Sequence, residues 1–289
     1  MIRGTIYGIL AAAIWGGMYV VSDLVLAVIP PFLLLTSRLV LGLVVLGIVV
    51  AIRGGFKLPD RRETLILLGV GFIGFGIAVG TQFTGTDKST AINGALITSA
   101  SPAFILLFAV LILKERITPV RVIAVLLASA GVVLIVDPAQ ADFSSATFRG
   151  DVELGFAALT WGLYSVLVRK VSERHDTLDV TVFAFAGGLL LTIPAGLIEG
   201  QTRSVGTITP LVIAGVLYLG VISTAAAMWL WNRAFALVDA SIAGLFFFAQ
   251  PVTGAVLAVA FLGQPMTPTL WLGSGMIAGA LVLSLLWGE

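Results

Sequence analysis

Apolar residues run along this chain in long stretches, each interrupted by a short cluster of charged residues, proline or glycine. A membrane-spanning helix needs about 20 mostly apolar residues. The pattern predicts ten such helices, over residues 5–27, 30–52, 63–83, 89–113, 118–136, 151–173, 177–198, 208–231, 240–262 and 267–287. The first follows Arg3 but is longer than the apolar core of a secretory signal and leads directly into a second span at Pro30-Pro31, so it reads as retained. The longest gap, residues 137–150, is too short to fold alone, which leaves a single transmembrane domain over 1–289.

Composition points the same way. Of 289 residues, 59% are hydrophobic and 11% charged, against about 45 to 50% and 25% in soluble domains. The apolar excess must face lipid. With a net charge of +1, the chain lacks the basic footprint of a nucleic-acid binder. Its lack of cysteine removes thiolate catalysis and zinc-thiolate sites, and no cofactor or metal is expected. The Gly69 to Gly74 run mimics a dinucleotide motif but follows no strand. Lys and Arg are unevenly divided among the loops: with the N-terminus placed in the cytoplasm, twelve fall on that side, three (Lys88, Arg149 and Arg203) on the other, and Arg38 lies within a span. The positive-inside rule then puts both termini in the cytoplasm of an inner (plasma) membrane protein.

The sequence repeats itself. The segment AAAIWGGMYV around Trp15 returns as AALTWGLYSV around Trp161, and SPAFILLFAVLILKERITP returns as QPVTGAVLAVAFLGQPMTP, matching Pro102 to Pro251 and Thr118-Pro119 to Thr267-Pro268. Each Thr-Pro pair reads as an N-cap followed by a proline at the first helical position. The halves are predicted as repeat one, residues 1–137, and repeat two, 150–289. Five spans each is an odd number, so the copies must enter the membrane from opposite sides. The expected fold is an all-α membrane protein of ten transmembrane helices in two inverted five-helix repeats.

Trp15 lies about ten residues into its helix, roughly 15 Å deep at 1.5 Å per residue and so close to the midplane. Trp161 occupies the same depth in the second half. Tyr19 extends the Trp15 face, and Tyr164 with Ser165 extends that of Trp161. Pro102 and Pro251 each remove a ladder donor, loosening the carbonyls of Thr98 and Phe247, and are predicted to kink their helices beside Ser99 and Gln250. Matched interruptions in two halves point to a central site. Thr81, Gln82, Asn93 and Asn232 add polar groups that lipid would penalise. The candidate substrate-binding set is therefore Trp15, Tyr19, Thr81, Gln82, Asn93, Ser99, Trp161, Tyr164, Ser165, Asn232 and Gln250, of which Trp15, Tyr19, Trp161, Tyr164 and Gln250 should border one cavity. Packing between helices is the plainer reading of any single ring. Of the intramembrane charges, Asp23 and Arg38 are expected to pair structurally, with substrate contact and, for Asp23, proton relay as the alternatives, while Lys114, Glu115 and Arg116 read as a solvated anchor and His175 as a loop residue.

These segments, with PPFLLLTSRLVLG, TAINGALITSASPAFILLFAVLILKERIT, GVVLIV and GLFFFAQPVTGAVLAVAFLGQPMT, resemble the drug/metabolite transporter superfamily, in particular its EamA-type ten-helix metabolite and amino-acid exporters. The sequence departs from that pattern at Asp23, where many members have Lys, and at Gln264, where many have Glu. The resemblance implies export. The scarcity of midplane charge favours a small neutral, zwitterionic or aromatic metabolite such as an amino acid, carried by alternating access. A phosphorylated-metabolite or nucleotide-sugar exchanger would want several inward Lys or Arg, and a passive channel is the other alternative. An intramembrane protease would need a His within a span or two midplane carboxylates. The expected partners are a small-molecule substrate and the lipid bilayer, with no nucleic acid, in a monomer or weak homodimer.

Overall fold

The computed structural model describes residues 2–55, 59–89, 91–136, 141–262 and 267–287, with the side chains of Tyr19 and Asp23 among those outside the description. The described chain is helical throughout, with no strand. In order come α1 (Ile2–Leu26), α2 (Pro31–Ile52), α3 (Arg61–Lys88), α4 (Ala91–Thr98), α5 (Ser101–Phe108, prolonged by the wider π turn Ala109–Leu113), α6 (Pro119–Val136), α7 (Phe148–Val171), α8 (Thr177–Thr202), α9 (Pro210–Leu237), α10 (Ala240–Ala243, continued as the 3₁₀ turn Gly244–Phe248), α11 (Ala249–Leu262) and α12 (Pro268–Trp287). Among the described residues, eight helical segments are long and apolar enough to cross a membrane. Large side chains such as Val44, Leu126, Leu197 and Trp271 stand exposed on the outside, the distribution expected where the surrounding solvent is lipid.

Local chemistry sets the helix starts. Thr118, Thr209 and Thr267 each precede a proline, and each hydroxyl accepts from the backbone N–H three residues on, at 3.3, 3.3 and 3.2 Å. The following proline sits where a missing N–H costs nothing. Asp60 caps α3 by accepting from the Glu63 N–H at 2.8 Å, and Asp176 caps α8 through Leu178 at 2.9 Å. The start of α2 is capped from another helix: Glu199 of α8 accepts from the N–H groups of Phe32 and Leu33 at 2.7 and 3.3 Å.

Contacts between the halves are reciprocal. α2 lies along α8 and α6 along α12. Phe32 meets Glu199 and Thr36 meets the Thr192 carbonyl, while Gly42 faces Phe185, so α2 and α8 run antiparallel. Gly131 packs on Gly273 and Ile277, and Gly273 packs back on Gly131 and Ile135, again antiparallel. α1 lies against α9 and α11, as α7 lies against α3 and the α4–α5 pair. Glycine allows the closest crossings: a Cβ on Gly71 would lie 2.0 Å from the Ala184 carbonyl oxygen, and one on Gly187 2.0 Å from that of Leu68. Without side chains the backbones of α3 and α8 approach directly.

The prolines break their helices earlier than the sequence predicts. α4 stops at Thr98, and Pro102 falls in the first turn of α5. There it displaces no helical hydrogen bond, and the Thr98 carbonyl accepts instead from the Ser101 hydroxyl at 2.7 Å. Pro251 is the third residue of α11, preceded by the tighter 3₁₀ turn.

Candidate functional site

A cavity of about 560 Å³ enters the bundle from the end that carries Lys88, Arg149 and Arg203, called here the apical end. Its mouth is bordered by Leu26, Pro31, Thr86, Asp87 and Arg203. Asp87 and Arg203 form a bidentate ion pair at 2.6 and 3.3 Å, whose hydrogen bonds and negative charge hold the Arg203 guanidinium above its ordinary pKa. Deeper, the walls are apolar and aromatic, with Trp15, Met18, Phe83, Trp161, Met228 and Phe247. The polar exceptions at depth are Ser22, Arg38, Gln82, Thr98, Ser101 and Gln250. Thr98, Ser101, Phe247 and Gln250 lie beside the two helix breaks. The interruptions thus turn matched positions of both repeats towards one space.

The opposite, basal end is filled. Trp15 packs on Trp161 and Trp231 with ring centroids 5.9 and 5.2 Å apart, and Trp231 continues onto Phe235 at 5.0 Å. Trp231 and Phe235 are fully buried. Beside this floor Tyr164 donates to Asn232 Oδ1 at 3.1 Å, and Asn232 Nδ2 donates to the Thr181 hydroxyl at 3.0 Å. Below it, Glu115 reaches across to repeat two, accepting from the backbone N–H groups of Ala240 and Ser241 at 2.8 and 3.1 Å and from the Ser241 hydroxyl. Arg121 lies 3.6 Å from Glu115 and donates to Asp239 at 2.8 Å. A left-handed residue, Lys114 (φ 60°), turns the chain so that Glu115 points inward.

Trp15, Gln82, Trp161 and Gln250 line the cavity. Trp15 is held by its indole N–H, which donates to the Ser223 carbonyl at 3.0 Å. Tyr19 and Asp23 fall outside the described side chains, so the bordering role of Tyr19 and the pairing of Asp23 with Arg38 are not described. Other candidates lie elsewhere. Tyr164 does not border the cavity: it stands behind Trp161 and its hydroxyl is spent on Asn232, itself completely buried. Ser165 donates to the Trp161 carbonyl at 2.9 Å, Ser99 to that of Leu96 at 2.6 Å, and Thr81 to that of Ile77 at 2.8 Å. These hydroxyls turn back on their own helix, as Ser and Thr can do in lipid. Asn93 ties the 141–151 segment to α4, donating to Asp151 at 2.9 Å and accepting from the Asp142 N–H at 3.0 Å.

Two further readings change. Glu115 is not a solvated anchor but the cap of α10, and Arg121, one of the twelve cations assigned from the sequence to the cytoplasmic loops, lies within α6 and is 5% exposed. Met18, Phe83, Met228 and Phe247 escaped the sequence reading because nothing distinguishes a cavity wall from a packed core in an apolar helix; Thr224, which accepts from Arg38 Nε at 3.0 Å, signals itself only through its partner.

An apolar helical bundle with an aromatic-walled chamber open at one end suits the passage of a solute. The chain matches the model of the EamA-like transporter family twice, over residues 2–137 and 149–286. It belongs to that family. It is 29% identical over 256 residues to an "Uncharacterized transporter" of Archaeoglobus fulgidus, covering 88% of each chain. It is also 25% identical to the "Uncharacterized transporter YetK" of Bacillus subtilis, over 96% of this chain and 84% of that one, and 24% identical to the "Uncharacterized inner membrane transporter YicL" of Salmonella typhimurium, over 97% and 94%. A crystal structure superposes with a TM-score of 0.85 over 98% of both chains at 22% identity, a likeness of fold.

Proposed function

We propose that this protein is a secondary carrier that moves a small neutral, zwitterionic or aromatic metabolite, amino acids being the reference case, across an inner (plasma) membrane by alternating access. Ten helices cross the bilayer as two inverted five-helix repeats, with the termini in the cytoplasm. The antiparallel crossings of α2 on α8 and of α6 on α12 support the inversion, and the excess of Lys and Arg at the basal end supports the orientation. Export is the direction that the family resemblance suggests.

The observation that carries the reading is a one-sided cavity: it reaches Trp15 and Trp161 from the apical end and stops on the aromatic floor. A pore would continue through. A carrier needs one end shut while the other is open, and two similar halves that exchange arrangements provide it. The apolar lining argues against phosphorylated cargo, since among the described residues Arg38 is the single cation deep in the cavity and Arg203 at its mouth is tied to Asp87. Counterflow in proteoliposomes with labelled amino acids tests the mechanism. Saturable uptake stimulated by unlabelled solute inside is expected; non-saturating flux without exchange would establish a pore instead.

A further inference from the structure

We propose that the cavity is built for a monocarboxylate anion with an apolar or aromatic body, and that Arg38 holds the carboxylate. The inference rests on the carrier reading but replaces its reference substrate, the amino acid, by an anion that lacks the ammonium group. Arg38 stands in the membrane-embedded part of α2, is 4% exposed and lines the cavity. Its Nε donates to the Thr224 hydroxyl at 3.0 Å and its Nη2 faces the Met18 sulfur at 3.1 Å. Both partners are neutral. Nη1 has no hydrogen-bond partner, and no carboxylate pairs with the guanidinium, among the described residues.

An arginine cannot shed its proton to escape burial. A cation held in a membrane interior without a counter-charge is costly; among the described residues no carboxylate offsets Arg38, and the solute-sized space beside it suits an anion. One carboxylate makes the complex neutral; a dianion would only reverse the sign. The planar fork of the guanidinium suits a carboxylate. Two other lining residues carry polar atoms without a partner among the described residues, the Trp161 indole N–H and the Ser22 hydroxyl. Both atoms are shielded from the cavity space, so the Arg38 guanidinium on α2 is the donor presented to a ligand. Trp15, Phe83, Met228 and Phe247 offer apolar surface for its body. An ammonium group fares worse: among the described lining residues the one carboxylate is Asp87, at the mouth and engaged by Arg203.

The test uses the purified full-length protein with 3-phenylpropionate, its neutral amide, phenylalanine and the dianion phenylsuccinate, in binding titrations and in counterflow. 3-Phenylpropionate is expected to bind at least tenfold more tightly than the other three. Arg38→Gln should weaken it tenfold or more while leaving the amide unchanged, and should raise the melting temperature of the ligand-free protein, which shows independently that the variant folds. Arg38→Lys should keep the order of preference at lower affinity. Phenylalanine bound or exchanged as well as 3-phenylpropionate overturns the inference while the carrier stands, as does an Arg38→Gln protein that keeps the carboxylate preference. No binding and no exchange of any probe or amino acid overturns both.

Discussion

Replacing Tyr164 by Phe removes the donor to Asn232 Oδ1 in a fully buried pair. Leaving that oxygen unsatisfied should cost about 1 to 3 kcal/mol, read as a lower melting temperature, yet ligand preference should not move because Tyr164 does not touch the cavity. A changed preference would return Tyr164 to the binding set. Trp15 is the contrasting case, since its indole both donates to Ser223 and walls the chamber. Trp15→Phe should therefore reduce stability by about 1 kcal/mol and alter affinity in the same titration. At this scale the sequence told which rings stand partway along their helices, because that position follows from counting residues. It did not tell Trp161 from Tyr164, one turn apart. Which of two neighbours faces a void and which faces a partner depends on helices distant in the chain.

Helix boundaries were the most legible feature, because their chemistry is local. The Thr-Pro caps read at 118 and 267, like the one the structure adds at 209, act within one turn and need no other helix to form. The prolines were only half legible: both interruptions exist, but each lies ahead of its proline, where a first-turn position spares the lost donor. Crossings between helices provide the test at this scale. Gly71→Ala and Gly187→Ala each drive a methyl into a backbone carbonyl at the α3–α8 contact, and should destabilise by about 1 to 3 kcal/mol. Gly69→Ala, two residues from Gly71 with nothing within 4 Å, should be neutral or stabilising by up to about 1 kcal/mol through helix propensity. Thermal unfolding of the three proteins separates close packing from a general intolerance of substitution. Glu115→Ala removes the acceptor for Ala240 and Ser241 and should cost about 1.5 to 3 kcal/mol, the range for hydrogen bonds to a charged group.

For the whole molecule the question is which end is open. Because the chain has no cysteine, single cysteines can be introduced without clearing a background. Gln82→Cys and Thr86→Cys, on the apical part of the cavity wall, should react with a membrane-impermeant maleimide added outside intact cells. Phe235→Cys, in the buried floor, should stay unmodified in this arrangement. Labelling of Phe235→Cys with protection of Gln82→Cys would mean that the ends are reversed or that another arrangement prevails. The apolar excess, the apolar helices, the two matching halves and the caps at 118 and 267 are determined by the sequence alone, since each depends on residues adjacent along the chain or within one helical turn. Which aromatic ring walls the cavity, that Arg38 meets Thr224 and Met18 among the described residues, and that Glu115 crosses to cap the other repeat are decided only by the tertiary structure. Burial and charge compensation are properties of a three-dimensional neighbourhood, assembled here from helices more than a hundred residues apart.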